Sequence, residues 1–466
     1  MIRHRRRLDR RATLGPVRTI LGAVTIAVLA AGCGGVDASH VTAAAVVPLD
    51  EAPLTDAAAA RVVGVGEATH GNKEFVQVRK LIIQKLVREH GFRTVALEAD
   101  FGGTAAAADY VMGGRGSAED AAKALGFDIY RTRETADLLK WLHDHNETAA
   151  DRDKVHLYGF DLQRYDHNKQ RLLSYLAEVD PAQVKPVRTA LADLTDANRQ
   201  TLSGERLATA AKAAEQVVTQ LKAKQQAYER AGVKAGQQAG ERADSKGERQ
   251  AQERGSLEAG RRAYAPAGSA GAFALALHHA ETIQRSAQLQ TSGTGYARKR
   301  DAWMAANITW IADREAAQGR KKVIVAGHDG HIDKSGAAFS FPSMGPRLAE
   351  TYGDDYFAIG TDFGTSTFIS RDDGSGERRR FTVTHDAPLA KLFGREPMGY
   401  LNLAEAVAAD PANRRLLASE VPMGSVGDGF RSVYTAMSWT YTVKTVPTKA
   451  YDAVVFVPKA TPVSPL

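Results

Sequence analysis

Six short apolar runs, each bounded by glycine or polar residues, limit what this 466-residue chain can fold into. They read "RVVGVG" (61–66), "RTVALEAD" (93–100), "KVHLYGFD" (154–161), "KKVIVAGHDGH" (321–331), "YFAIGTDFG" (356–364) and "YDAVVFVPKA" (451–460). Continuous apolar runs of this length are strands buried on both faces. Helical patterns separate them. In "KEFVQVRKLIIQKLVREHG", Phe75, Val78, Ile82 and Leu86 share one face, and Gly91 stands where a helix stops. In "TRETADLLKWLHDH", Thr132 can cap a helix whose apolar side is Leu138, Trp141 and Leu142. Strands alternating with helices predict an α/β protein: three layers, α/β/α, with a mostly parallel sheet.

The middle of the chain breaks this alternation. From 181 to 318 the pattern is helical, which predicts a large helical insertion between a first α/β part (51–180) and a second (319–466). Within it, the stretch from about 225 to 265 is rich in Gln, Ala, Gly, Arg and Glu and poor in large apolar residues. A segment of that composition buries little and reads as a solvated arm or a disordered insertion.

The N-terminus is a separate unit. Residues 1–32 carry seven arginines and one acid, so they hold six of the seven net positive charges of the chain. The rest is near neutral, which argues against a nucleic-acid partner. An Arg-rich start followed by "TILGAVTIAVLAAG" reads as a secretory signal, too short to span a bilayer comfortably. Its end, "LAAGC", resembles a bacterial lipobox, and Cys33 is the only cysteine in the chain. The expectation is a lipidated Cys33, a tether over 33–50, and an extracytoplasmic protein held to the membrane by that lipid. Disulfide and thiol chemistry are then unavailable.

The first five predicted strands deliver chemistry at their C-terminal ends: Glu67 and His70, then Glu98, Asp161, His328 with His331, and Asp362. Ligands of open parallel sheets bind beyond those ends, so these residues converge on one crevice. In "GEATHG" the glycines allow tight backbone at its lip. Two chemistries fit the residue types. A neutral imidazole can take a proton from water, which then attacks a carbonyl. Alternatively, histidines and carboxylates can hold a divalent ion that activates water. The E-x-x-H and H-x-x-H spacings are not those of H-E-x-x-H, which counts against a metal, but the ligand inventory is chemically adequate, so a divalent-metal hydrolase stands as an alternative; no motif calls for another cofactor. There is no G-x-S-x-G elbow and no Walker A lysine. The same cleft in a surface lipoprotein that only binds a small molecule is a further reading. Tyr296, Trp303 and Trp310 could line a pocket or serve as core.

An ordered set of motifs resembles the erythromycin esterase family. It comprises Gly66, Glu67, His70 and Gly71; Arg79; Gly91, Phe92, Val95, Leu97 and Glu98; and Tyr158, Gly159, Asp161 and Gln163. It continues with Arg300, Asp301, Met304, Ala305 and Asn307, then His328 and His331, then Met344, Gly345 and Leu348, and ends with Asp452 and Ala453. The resemblance implies a carboxylic ester hydrolase able to open a macrolide lactone, working without metal on a small-molecule ester or lactone. It implies that His70 is the general base and that Glu67, Glu98, His328 and His331 complete the catalytic cluster. Arg79, Arg300 and Asp161 would order that cluster or bind substrate. The chain departs from the family at Asp329 and Gly330. If the Asp329 carboxylate faced the two flanking histidines, it would raise their pKa.

Overall fold

The computed structural model describes residues 46–228, 270–394 and 396–466. The signal segment, Cys33, most of the tether and nearly all of the polar insertion lie outside the described residues.

The strands are β1 (Val47–Pro48), β2 (Val62–Glu67), β3 (Thr94–Asp100), β4 (His156–Asp161), β5 (Val323–His328) and β6 (Tyr356–Asp372). They continue with β7 (Arg378–Thr384), β8 (Gly399–Asn402), β9 (Val421–Gly424), β10 (Gly429–Phe430), β11 (Thr442–Thr445) and β12 (Ala453–Ala460). The main sheet runs β1-β8-β12-β6-β2-β5-β3-β4. From β12 to β4 every neighbour is parallel, while β8 and β1 close one edge antiparallel. All six sequence-read strands are present. The fifth runs on to Asp372, its outer half alternating buried with more exposed residues, and pairs with the antiparallel β7. Pro48 and Val47 pair with β8 and Leu49 is buried, so these residues of the stretch assigned to the tether belong to the fold.

Side-chain alternation sends the strands' residues into two apolar layers. Val63, Val65, Val95, Leu97, Ile324 and Ala326 meet the helix Lys73–His90 on one face. Val62, Ala96, Val323 and Val325 meet the helix Tyr296–Ala316 on the other. This is the three-layer α/β/α arrangement. Gly91 ends the first helix at φ 72°, and Thr132 caps Arg133–Thr148 by accepting from the Thr135 N–H at 3.2 Å. Between β4 and β5, the helices Asp166–Val179, Gly204–Ala223 and Ala270–Gln290 share a third apolar cluster. Among the described residues, no helix is long and apolar enough to cross a membrane.

Candidate active site

The register of the sheet assembles the site. β2 and β5 are neighbours, and Glu67 stands directly beside His328. β3 flanks β5 on its other side with Leu97 opposite Ala326, which brings Glu98 alongside the same strand end. β4 follows with Asp161. His70 and His331 come from the first turns beyond β2 and β5.

Two charged groups result. In the first, the Glu67 carboxylate takes the His70 Nδ1–H at 2.7 Å and pairs through its other oxygen with Arg79. Arg79 is 2% exposed, and its guanidinium is paired with Glu67. Burial would raise the Glu67 pKa, but the charges of Arg79 and His70 hold it below its ordinary value. Burial would lower that of His70, yet the hydrogen bond and charge of Glu67, with Glu98 and Asp428, leave it raised. His70 Nε2 has no hydrogen-bond partner among the described residues.

In the second group, Arg300 donates to Glu98 at 2.8 Å and to Asp161 at 2.7 Å. His331 is gripped from both sides: Nδ1 lies 2.8 Å from Asp301 and Nε2 3.2 Å from Glu98. Burial opposes its charge, but Glu98 and Asp301 push its pKa up to about 9, so it is an imidazolium. Glu98 is held well below the carboxylate range, against burial, by His331 and Arg300. The Arg300 guanidinium, 3.2 Å from His331, is the cation on which Glu98 and Asp161 converge, so those two acids are committed to a fixed organic charge.

His328 sits between the groups, its ring centroid 5.0 Å from that of His70 and 6.4 Å from that of His331. Its Nδ1 accepts from the Gly330 N–H at 3.2 Å, which leaves Nε2–H to donate to the Val426 carbonyl at 3.2 Å. Burial and the neighbouring His70 lower its pKa to about 3, so it stays neutral.

Three expectations change. Asp329 does not face the histidines. It accepts from Thr361 N–H and Oγ1–H, and burial raises its pKa well above its ordinary value. Asp362 joins neither group: its Oδ1 takes the N–H of Phe363 and Gly424, each at 2.8 Å, and meets His385 Nε2 at 3.2 Å. The aromatics divide. Tyr296 donates to Gln163 at 2.6 Å beside Asp161, whereas Trp310 stacks on buried His278 and Trp303 packs on the core.

Sequence reasoning gave Asp301 no role and missed Val426 and Phe339, whose ring stacks on His331 with centroids 5.4 Å apart. Asp301 follows Arg300 in the motif, which was its available signal. Val426 lies 98 residues from His328 and contributes only a carbonyl, which no side-chain pattern can mark. Among the described residues, His143, Asp144 and Glu147 bring ligand atoms close enough to share an ion. They line an outer helix face where Asp144 pairs with Lys140 and His143 bonds the Tyr110 carbonyl, an ordinary solvated arrangement.

Fold and site together define a three-layer α/β protein with an acid–histidine centre at the C-terminal edge of its parallel sheet. Residues 87–460 match the family profile of erythromycin esterase, and the chain belongs to that family. Membership supports a hydrolase. The chain is 24% identical over 317 residues to an erythromycin esterase type II of Escherichia coli, covering 64% of this chain and 68% of that one. Solved structures share the fold. A Bacillus cereus protein superposes with a TM-score of 0.68 at 21% identity, covering 89% of this chain and 92% of its own. A succinoglycan biosynthesis protein gives 0.67 at 17% identity, with 89% and 91% covered. An erythromycin esterase mutant in its open conformation gives 0.57 at 17% identity, with 86% and 91% covered.

Proposed function

We propose that the protein is an exported, membrane-tethered hydrolase that cleaves a carboxylic ester or a macrolide lactone with water activated by His70. One observation carries this reading: of the three clustered histidines, only His70 has a ring nitrogen free to act. Both nitrogens of His328 are engaged, and those of His331 lie between carboxylates. His70 Nδ1–H is fixed on Glu67, so the Nε2 lone pair is the one available to a water. That nitrogen takes a proton as the water oxygen attacks the carbonyl carbon. Glu67 stabilises the imidazolium that forms, and Arg79 keeps Glu67 ionised. When the tetrahedral intermediate collapses, the C–O bond breaks and Nε2–H returns its proton to the leaving alkoxide. Acid and alcohol are the products, with one water consumed.

The tether rests on the Arg-rich leader, its apolar run and Cys33. Incubating the protein with a panel of macrolides and simple esters, followed by mass spectrometry, tests the chemistry. A lactone gains one water and an ester splits, with wild type but not with His70→Gln. Turnover retained by His70→Gln refutes the role of His70. Fractionating cells that express the full chain and Cys33→Ser tests the anchor. The native chain should stay with the membrane and the variant should be released.

A further inference from the structure

The loop between the short helix Asp329–Ile332 and the helix Met344–Tyr352 carries two phenylalanines that neither the motif set nor the proposed chemistry uses. Phe339 stacks on the catalytic-cluster residue His331, with ring centroids 5.4 Å apart and planes 23° from parallel. Phe341 stacks in turn on Phe339 at 5.1 Å and 28°. The Arg298 guanidinium stands 6.0 Å over Phe341 at the outer end. Both phenylalanines are only half-buried. A ladder of rings therefore runs from a charged site outward toward solvent. Apolar side chains left in that position gain free energy when another apolar group covers them.

The ladder depends on the absence of a side chain at position 330. A Cβ on Gly330 would stand 3.0 Å from the Ala338 Cβ and 3.3 Å from the Phe339 ring. Glycine at 330 lets the loop settle close enough for Phe339 to lie on His331. The loop is also fixed at both ends. Asp333 accepts from Ser335 N–H at 2.6 Å and from Ala337 N–H at 2.9 Å. Met344 N–H donates to Asp301 at 3.0 Å, and Asp301 also holds His331. The rings are thus preorganised relative to the catalytic cluster, which lowers the ordering cost of binding.

We infer that Phe339 and Phe341 form the apolar subsite of the cleft, selecting esters whose acid or alcohol part is a long or bulky hydrocarbon. Resting on the hydrolase reading above, this adds to it the class of substrate. Phe341 is the informative position, because it touches the ladder but not His331. The test compares ethyl acetate, ethyl decanoate and decyl acetate with wild type, Phe341→Ser and Phe341→Leu, following acid release by titration. The ratio of kcat/KM for the better long ester to that for ethyl acetate should fall about tenfold in Phe341→Ser and be largely restored in Phe341→Leu. Binding of decanoate and decan-1-ol to His70→Gln, with and without Phe341→Ser, is read separately by calorimetry. Unchanged ratios together with unchanged binding overturn the subsite. Binding that depends on Phe341, without turnover by wild type of these esters or of any macrolide or ester in the panel above, keeps the subsite and overturns the hydrolase reading instead.

Discussion

Replacing Glu67 by Gln separates its two duties, and their sizes follow from its surroundings. Glu67 and Arg79 have side chains 3% and 2% exposed, so their ion pair is desolvated. Removing one charge leaves Arg79 buried without its partner, which costs about 3–5 kcal/mol. Adding Arg79→Met removes the stranded charge and fills the space with a chain of similar length. Replacing a whole buried pair in this way is near neutral, so Glu67→Gln/Arg79→Met should regain most of the lost stability. Activity behaves differently. His70 loses the carboxylate that fixes its tautomer in both variants, so kcat should fall about 10²–10⁴-fold in each. The pH dependence is equally specific. Glu67 titrates below its ordinary value in the folded chain. Its stabilising contribution is therefore complete above the unfolded pKa, near 4.5, and is lost as pH falls through the folded one. The stability gap between wild type and Glu67→Gln should narrow in acid. Urea unfolding followed by tryptophan fluorescence at pH 7 and at pH 4 reads all of this. A single variant as stable as wild type at pH 7, or a double variant no more stable than the single, would show that the Arg79 charge does not depend on Glu67.

Other consequences can be measured independently. Asp301→Asn removes one of the two carboxylates on His331, so its imidazole should titrate well below about 9 when followed by NMR; an unmoved pKa refutes that pairing. Since His70 must be neutral to act and its pKa is raised, the acid limb of kcat should lie above pH 6.5 in wild type and move to lower pH in Glu67→Gln. A limb that does not move separates Glu67 from His70. Gly71→Ala sets a Cβ against the backbone of Ile369 in β6, closer than any real Cβ contact. It should destabilise by about 1–3 kcal/mol and impair activity, and normal urea stability would refute the close approach. Finally, His156, His278, His279 and His328 are kept neutral by burial, with pKa values lowered to about 4, about 3, far below 6.5 and about 3. The unfolded chain binds protons at these sites below pH 6.5, so stability should fall steeply on acidification, and a flat profile from pH 6.5 to 5 contradicts their burial.

The alternation of apolar runs and helices made the sheet legible, because strands buried on both faces leave a simple pattern. Glu67, His70, Glu98, Asp161, His328 and His331 were legible for a related reason: a parallel sheet exposes one end, and chemistry written there is contiguous with a strand. What could not be read is direction. Asp329 lies between two histidines in sequence, yet it is the first residue of a short helix, and its side chain turns to Thr361 on the neighbouring strand. Asp362 ends an apolar stretch as Glu67 does, but β6 runs on past it, so the acid is captured by the amides of Phe363 and Gly424 instead of facing a crevice. The Val426 carbonyl and the Phe339 ring reach the site through loops, where no periodicity reports which way a group points.

That geometry also explains why a site needs three histidines when one does the proposed chemistry. They sit close together, yet each is held in a different state by its own partners. His70 shares one hydrogen bond with a carboxylate and keeps a free lone pair. His331 has a carboxylate on each nitrogen and is charged. His328 has an amide on one side and a carbonyl on the other, which satisfy only a neutral ring. A charged His328 would stand against His331 and against any proton gained by His70. Its neutrality is what allows His70 to become an imidazolium without meeting a third cation. Each group sets its charge locally: Glu67 and Arg79 cancel beside a neutral His70, while the three acids Glu98, Asp161 and Asp301 outnumber the two cations Arg300 and His331. A proton taken up at His70 changes the charge of the first group and leaves the second unchanged, which suits the general-base role proposed for His70.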